Sequence, residues 1–289
     1  MKAKSAALLC ALSALLLGMP ATAKKVSVMP QEEFLSLCAD GKLADVGRGV
    51  KRKADVNAVD RNGRSPLICA AIGQDDPKVI RFLCRRGAEV DKPNPQGVTP
   101  LMVAAMHNAH VRIVQALLDC GADPKRSDAL GMNALNYAAR RTSNPAVAAC
   151  LLKAVGDVDF KSPCGATPLL CAARNPDVRV VELLLSAGAD PRSVDGEGRT
   201  ALFCAAESNS NVEVFEALLS AGVPVNAPNR QGMTPLMAAA RYGTAPEIVD
   251  VLLEHGAEVK ARDRSGRCAA DYAAKNTAFR GSATLKKLQ

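Results

Sequence analysis

A glycine recurs at nearly constant spacing from residue 63 onward, and this rhythm constrains the fold more than any other feature of the chain. Five of the six intervals are 34 residues and one is 33, with the glycines at Gly63, Gly97, Gly131, Gly165, Gly198, Gly232 and Gly266. A period of this length is typical of chains that stack small modules instead of building one globular core. The sequence therefore predicts a solenoid, whose long surface suits binding better than catalysis.

Each unit begins with the signature of a short helix. One variable residue follows the glycine, and then comes a Ser, Thr or Asn before Pro or Ala and Leu, as in Thr99-Pro100-Leu101. A side-chain oxygen at this position caps free N–H groups, and Pro fits the first helical turn because its missing N–H costs nothing there. The Leu and a following Ala pair are expected to form the buried side of this first helix.

A second helix follows a polar break in each unit. Its apolar residues have helical spacing, and its predicted starts include Asp76-Pro77, Asn144-Pro145 and Asn175-Pro176. It is expected to end where glycine tolerates the left-handed conformation, at Gly87, Gly121, Gly188, Gly222 and Gly256. Lys53 and Val155 stand at this position in two units. Because a β-branched residue is poor in that conformation, we expect Gly156 to end its helix one residue later.

This pattern resembles the ankyrin repeat. The segments 97–105 (GVTPLMVAA), 165–173 (GATPLLCAA), 232–240 (GMTPLMAAA) and 184–190 (LLSAGAD) are similar to the signatures of that family. The resemblance implies an all-α fold, an ankyrin-repeat solenoid of stacked helix-turn-helix units joined by hairpin-like loops. It places a linker and capping repeat at 24–60, six repeats at 61–265 and a C-terminal capping repeat at 266–289.

The chain departs from the family at one position of every unit. The family has a His after the conserved Leu, where this chain has Ile68, Met102, Asn136, Leu170, Phe203 and Met237. The hydrogen bonds that this His makes between loops must therefore be replaced or be absent.

The resemblance also implies where a partner binds. Ankyrin repeats bind proteins through the loop tips and the inner side of the first helices, which together form the concave face. The residues of this chain carried over to that face are Arg64, Met106, His107, Met132, Arg140, Arg141, Arg174, Arg199, Met233, Arg241 and Tyr242. Adjacent units lie about 10 Å apart, so Arg140 and Arg174 are expected to form a short cationic row. A solvated face without a partner is the alternative interpretation.

Charge and composition narrow the class of partner. The formal net charge of +8 is compatible with an acidic protein partner but too modest to indicate nucleic-acid binding. We expect a monomer that binds a protein, with no nucleic-acid partner and no membrane span in the mature chain.

The cysteines and histidines give little indication of a redox, metal or catalytic site. Most of the ten cysteines are interpreted as small apolar core residues, while Cys164 at a loop tip is expected to be exposed. Cys69, Cys171 and Cys204 share one position in their units, where neighbours lie about 8–10 Å apart, beyond the ~7 Å between Cα atoms that a disulfide allows. His107 and His110 lack a third metal ligand. No metal, cofactor or catalytic site is expected, although thiol-based redox or metal handling stays an alternative function.

Residues 1–23 have the layout of a secretory signal peptide. A basic start precedes an apolar run from Ala6 to Met19, and Ala21-Thr22-Ala23 provides a small-x-small cleavage site. We expect a mature chain that starts near Lys24 and is exported, to the periplasm in a Gram-negative host and otherwise to the medium. The expected function is a non-enzymatic protein-interaction scaffold, and an effector that acts on host proteins is a further alternative.

Overall fold

The computed structural model describes residues 27–107, 109–279 and 282–288. The expected signal peptide, residues 1–23, lies outside the described residues. Within these ranges every regular element is a helix, and the first helices of the units stack on one another to form one layer while the second helices form another. The all-α solenoid of helix-turn-helix units is therefore confirmed. No helix in the described ranges is long and apolar enough to cross a membrane.

The helices of the described ranges come in eight consecutive pairs. The first members of the pairs are α1 (Gln31–Asp40), α3 (Pro66–Gly73), α5 (Pro100–His107), α7 (Ala134–Arg141), α9 (Pro168–Ala172), α11 (Ala201–Ser208), α13 (Pro235–Tyr242) and α15 (Ala269–Ala273). The second members are α2 (Leu43–Lys51), α4 (Pro77–Arg85), α6 (Val111–Asp119), α8 (Pro145–Val155), α10 (Val178–Ser186), α12 (Val212–Ser220), α14 (Glu247–Glu254) and α16 (Ala283–Lys287). A short 3₁₀ helix (Thr277–Phe279) precedes α16.

The first helices begin as their sequence predicts. The Thr167 side chain caps α9 by accepting a hydrogen bond from the Leu170 N–H at 3.3 Å, and Thr200 and Thr234 cap α11 and α13 in the same way. The Ala pairs of these helices are buried, because their small side chains let consecutive first helices approach closely.

Two of the three predicted second-helix starts are correct. Asp76 and Asn144 cap α4 and α8, each with Pro in the first turn. The start at Asn175-Pro176 is wrong, because α10 begins at Val178 and its cap is Asp177. The shortening of this unit falls in its first helix, which ends at Ala172. Asn175 therefore holds the place of Gln74, two residues before the cap, and Asp177 holds the place of the cap Asp76.

Side-chain amides at the break between the two helices join four of the units to the unit before them. The Asn175 Nδ2 donates to the carbonyls of Ala139 and Thr142, both at 3.0 Å. The same pair of bonds to the preceding unit is made by Gln74, Asn209 and Asn276. We call these four residues the amide ladder. The carbonyls that it satisfies lie near the ends of the preceding first helices, which lack helical partners there.

The left-handed ends of the second helices follow the sequence prediction. Gly156 has φ +72 and ends α8, which runs two residues longer than its neighbours α6 and α10. Lys53 has φ +61, and among the described residues it is the one non-glycine residue with a positive φ.

The loops between units pair through their backbones. The Gly196 N–H donates to the Cys164 carbonyl at 2.7 Å, and the Arg230 N–H donates to that of Glu197 at 2.9 Å. A Cβ on Gly165 would lie 2.6 Å from the Gly196 nitrogen, so the repeating glycine permits this close approach. These backbone bonds link the loops of a chain that lacks the family's His. Buried side chains fill the position of that His in the six units named above.

A groove on the concave face

The concave face exposes most of the residues that the sequence assigns to it. Arg64, His107, Arg140, Arg141, Arg241 and Tyr242 are exposed, and Met106, Arg174 and Arg199 are half-buried. Met132 and Met233 are buried, with exposed fractions of 7% and 6%. The sequence assigns both methionines to the concave face, but the structure leaves them little exposed surface there. Each follows the repeating glycine, and the turn there directs its side chain into the core.

A groove of about 390 Å³ lies at the middle of this face, and we call it the central groove. It runs between the loop tips and the first helices α7, α9 and α11. Helix α9 has five residues where α7 and α11 have eight, so Arg174 follows the helix in a turn. This shortening occurs in the unit with the 33-residue interval.

One wall of the central groove is apolar and another is charged. Leu130, Met132, Ala166 and Leu170 contribute the apolar surface, and the Leu130 side chain is 69% exposed at the rim. The charged lining residues are Arg140, Arg174, Arg199, Asp195 and Glu207. The groove can therefore contact an aliphatic side chain and a charged group of the same ligand.

Glu207 forms a bridge between two of the arginines. Its carboxylate lies 2.5 Å from the Arg174 guanidinium and 3.4 Å from that of Arg199, and Arg199 also pairs with Asp195 at 2.7 Å. Arg140 and Arg174 both line the groove, but Glu207 compensates the charge of Arg174, so the two arginines are not equivalent free charges. Among the described residues no carboxylate lies within ion-pair distance of Arg140.

Buried thiols form part of the groove floor between the arginines. Burial raises the pKa of Cys171 to about 12, although a hydrogen bond from Asn136 and the positive charges of Arg140 and Arg174 oppose it. Burial likewise raises the pKa of Cys204 to about 11, against the charges of Arg174 and Arg199. Both thiols are therefore protonated and unreactive near neutral pH.

The remaining cysteines do not assemble a chemical site in the part of the chain that the structure describes. Cys164 is exposed, as predicted, with its Sγ 3.0 Å from the Ser162 Oγ. Burial and hydrogen bonding with Cys120 raise the pKa of Cys84 to about 12. All cysteines in the described ranges are free, and no group of His, Cys, Asp and Glu there is placed to hold a metal ion.

Two further cavities extend the central groove toward the C-terminal unit. A cavity of about 180 Å³ shares Arg199 and Glu207 with the groove and includes Met233 and Tyr242. Arg241 connects it to a third cavity of about 480 Å³. The Arg241 guanidinium lies over the rings of Tyr242 and Tyr272, at 4.8 and 5.4 Å from their centroids. The three cavities form a continuous series along the face.

The structure brings only part of the predicted set together. Met132, Arg140, Arg174, Arg199, Met233, Arg241 and Tyr242 line the three cavities. Arg64 pairs with Asp60 at 2.8 Å near the N-terminal end, and Met106, His107 and Arg141 line none of the three. Sequence reasoning missed Leu130 and Glu207 as groove residues. The sequence does contain an indication of Glu207, because it is an acidic residue at the repeat position where neighbouring units have Arg140, Arg174 and Arg241.

Comparison with protein families identifies the architecture. The family model described as ankyrin repeats (three copies) matches residues 35–128, 107–195, 135–229, 171–263 and 210–286. A comparison with curated proteins gives no match. Ankyrin repeats indicate a scaffold for protein–protein interaction, which agrees with a solenoid that carries a grooved face. Because the overlapping matches cover nearly the whole described chain, this protein belongs to the ankyrin repeat family.

Proposed function

We propose that the mature chain is an exported, non-enzymatic scaffold that binds a protein partner through its concave face as a monomer. The observation that carries this proposal is the continuous series of three cavities along that face. It combines exposed cations with apolar surface and spans the last five units. Arginine and aromatic side chains are enriched in protein interfaces, and both types are present in this series.

Cys164 allows a direct test of the face assignment. Its exposed thiol lies in the lining of the central groove, so it can carry a benzophenone maleimide without any substitution on that face. Irradiation in an extract of the native compartment is expected to cross-link one protein, identified by mass spectrometry.

A matched control places the same label elsewhere on the solenoid. Glu216 is exposed on the second helix α12, so the variant Cys164→Ser, Glu216→Cys moves the photoprobe off the concave face. The proposal predicts that this variant gives no such adduct. Equal cross-linking from both positions would show that the partner does not use the concave face.

Export rests on the layout of residues 1–23 and is tested separately. We expect N-terminal sequencing of the protein from the native host to begin near Lys24. In a Gram-negative host the protein is expected in the periplasmic fraction. Release into the medium would instead favour an effector, and an uncut N-terminus in the cytoplasm would contradict the export proposal.

A further inference from the structure

We infer that the central groove is a binding site for a carboxylate-rich segment of the partner, and that Glu207 occupies this site in the free protein. The inference rests on the proposed function, because it assigns the chemistry of the ligand that the concave face takes. In this arrangement Glu207 is an internal competitor, whose carboxylate stands where a carboxylate of the partner binds.

The positions of the charges support an acidic ligand. Three arginines face the groove, while Asp195 and Glu207 are its two carboxylates. Both carboxylates lie on the side of Arg174 and Arg199, so Arg140 is left without an ion-pair partner among the described residues. Arg140 and Arg174 both lie close enough to the Cys171 sulfur to influence its ionisation. Arg140, Arg174 and Cys171 all line the central groove.

The accessibility of Glu207 makes exchange feasible. Its side chain is 19% exposed and that of Arg174 is 21% exposed, so the pair lies at the boundary with solvent and a rotation of Glu207 can free the arginines. Guanidinium groups bind carboxylates through two parallel hydrogen bonds, which a carboxylate of the partner can form equally well.

The rest of the lining favours a peptide over a nucleic acid. Leu130 and Leu170 offer aliphatic surface beside the arginines, which suits an apolar side chain of a peptide. Proteins that bind single-stranded nucleic acids combine a positively charged groove with several aromatic side chains on which successive bases stack. The aromatic residue in the groove lining is Tyr137, which is half-buried and whose hydroxyl donates a hydrogen bond to Asp128.

Fluorescence anisotropy with defined probes tests this inference. The probe is a short fluorescein-labelled peptide of alternating Glu and Leu, and the reference is the same peptide with Gln in place of Glu. A labelled oligothymidylate of equal length serves as the nucleic-acid arm. We expect the Glu peptide to bind more tightly than both, with an affinity that falls as salt is raised.

Two variants identify the groove as the place of binding. Glu207→Gln removes the internal competitor and is expected to tighten binding of the Glu peptide about two- to fivefold. Arg140→Gln removes the cation that has no ion-pair partner among the described residues, and it is expected to weaken binding of the Glu peptide by a similar factor. Glu216→Gln makes the same charge change as Glu207→Gln on α12 and is expected to leave binding unchanged.

Specific results would overturn the inference. If the Glu207→Gln variant binds the Glu peptide no more tightly than the Glu216→Gln variant does, Glu207 does not compete with the ligand. A Gln peptide or oligothymidylate that binds as tightly as the Glu peptide would reject the assigned chemistry. If circular dichroism shows that Glu207→Gln does not fold, Arg140→Gln decides alone, since it breaks no ion pair in the described part of the chain. If the Cys164 cross-link persists while the acidic probe fails, the concave-face proposal stands and only the ligand chemistry is wrong.

Discussion

The amide ladder makes a sharp prediction about what holds the units together. The Asn209 Nδ2 donates to the carbonyls of Ala173 and Asn175 at 3.0 and 2.8 Å, and its Oδ1 accepts from the Asn211 N–H at 2.9 Å. The residue is 7% exposed, so water cannot readily replace these partners. Asn209→Ala leaves two acceptors and one donor without their partner.

The expected loss of stability follows from this geometry. A buried polar group left without its hydrogen bond costs about 1–3 kcal/mol. Because the truncation also opens space that admits some water, we expect Asn209→Ala to lower the free energy of unfolding by about 2–5 kcal/mol. The loss is expected to be centred on the interface between the units that contain α9 and α11.

Urea denaturation followed by circular dichroism measures the effect, and the chain supplies a matched control. Asn226 also bonds across units, since its Nδ2 donates to the Gly256 carbonyl at 3.0 Å and its Oδ1 accepts from the Glu258 N–H at 2.9 Å. These bonds are solvent-exposed, so Asn226→Ala is expected to cost less than about 1.5 kcal/mol. Equal losses from the two substitutions would refute the reasoning that burial makes the ladder stabilising.

Three further predictions concern the loops, the thiols and acid stability. Gly165→Ala and Gly188→Ala are each expected to lower the free energy of unfolding by about 1–2 kcal/mol, because both glycines have positive φ. Chemical denaturation is expected to show the larger loss for Gly165→Ala, because its Cβ would also meet the backbone of the next loop. Iodoacetamide at pH 8 is expected to modify Cys164 in the native protein and Cys171 only after unfolding, and rapid native alkylation of Cys171 would contradict its burial. Burial opposes ionisation of Asp263, but the hydrogen bonds that it accepts outweigh burial and lower its pKa. The ionised carboxylate therefore stabilises the fold at pH values above its unfolded-state pKa, and this stabilisation is lost as pH falls through the folded-state pKa. The loss of stability caused by Asp263→Asn, measured by urea titration, should thus be largest near neutral pH and shrink below about pH 4.

Much of the fold could be predicted because its signals are local. Thr167 caps a helix whose first N–H groups lie three residues away, and Gly156 ends a helix through its own φ. Such features depend on a few consecutive residues, so they can be read without knowing how the units stack. The ladder residue Asn175 shows the limit. Its sequence neighbour Pro176 favours a helix start, while its role as a buried donor depends on carbonyls more than thirty residues earlier.

The sequence by itself determined the period, the pair of helices in each unit and the face on which Arg140 and Arg174 lie. Only the tertiary structure decided which of these charges are free, because the pairing of Arg174 with Glu207 joins residues of different units. It also decided that Met132 is buried, since burial depends on the packing of adjacent loops. Helix caps and left-handed glycines recur in each unit because they depend on neighbouring residues in the sequence. Ion pairing and burial depend on contacts between units, and the central groove lies where three consecutive units meet.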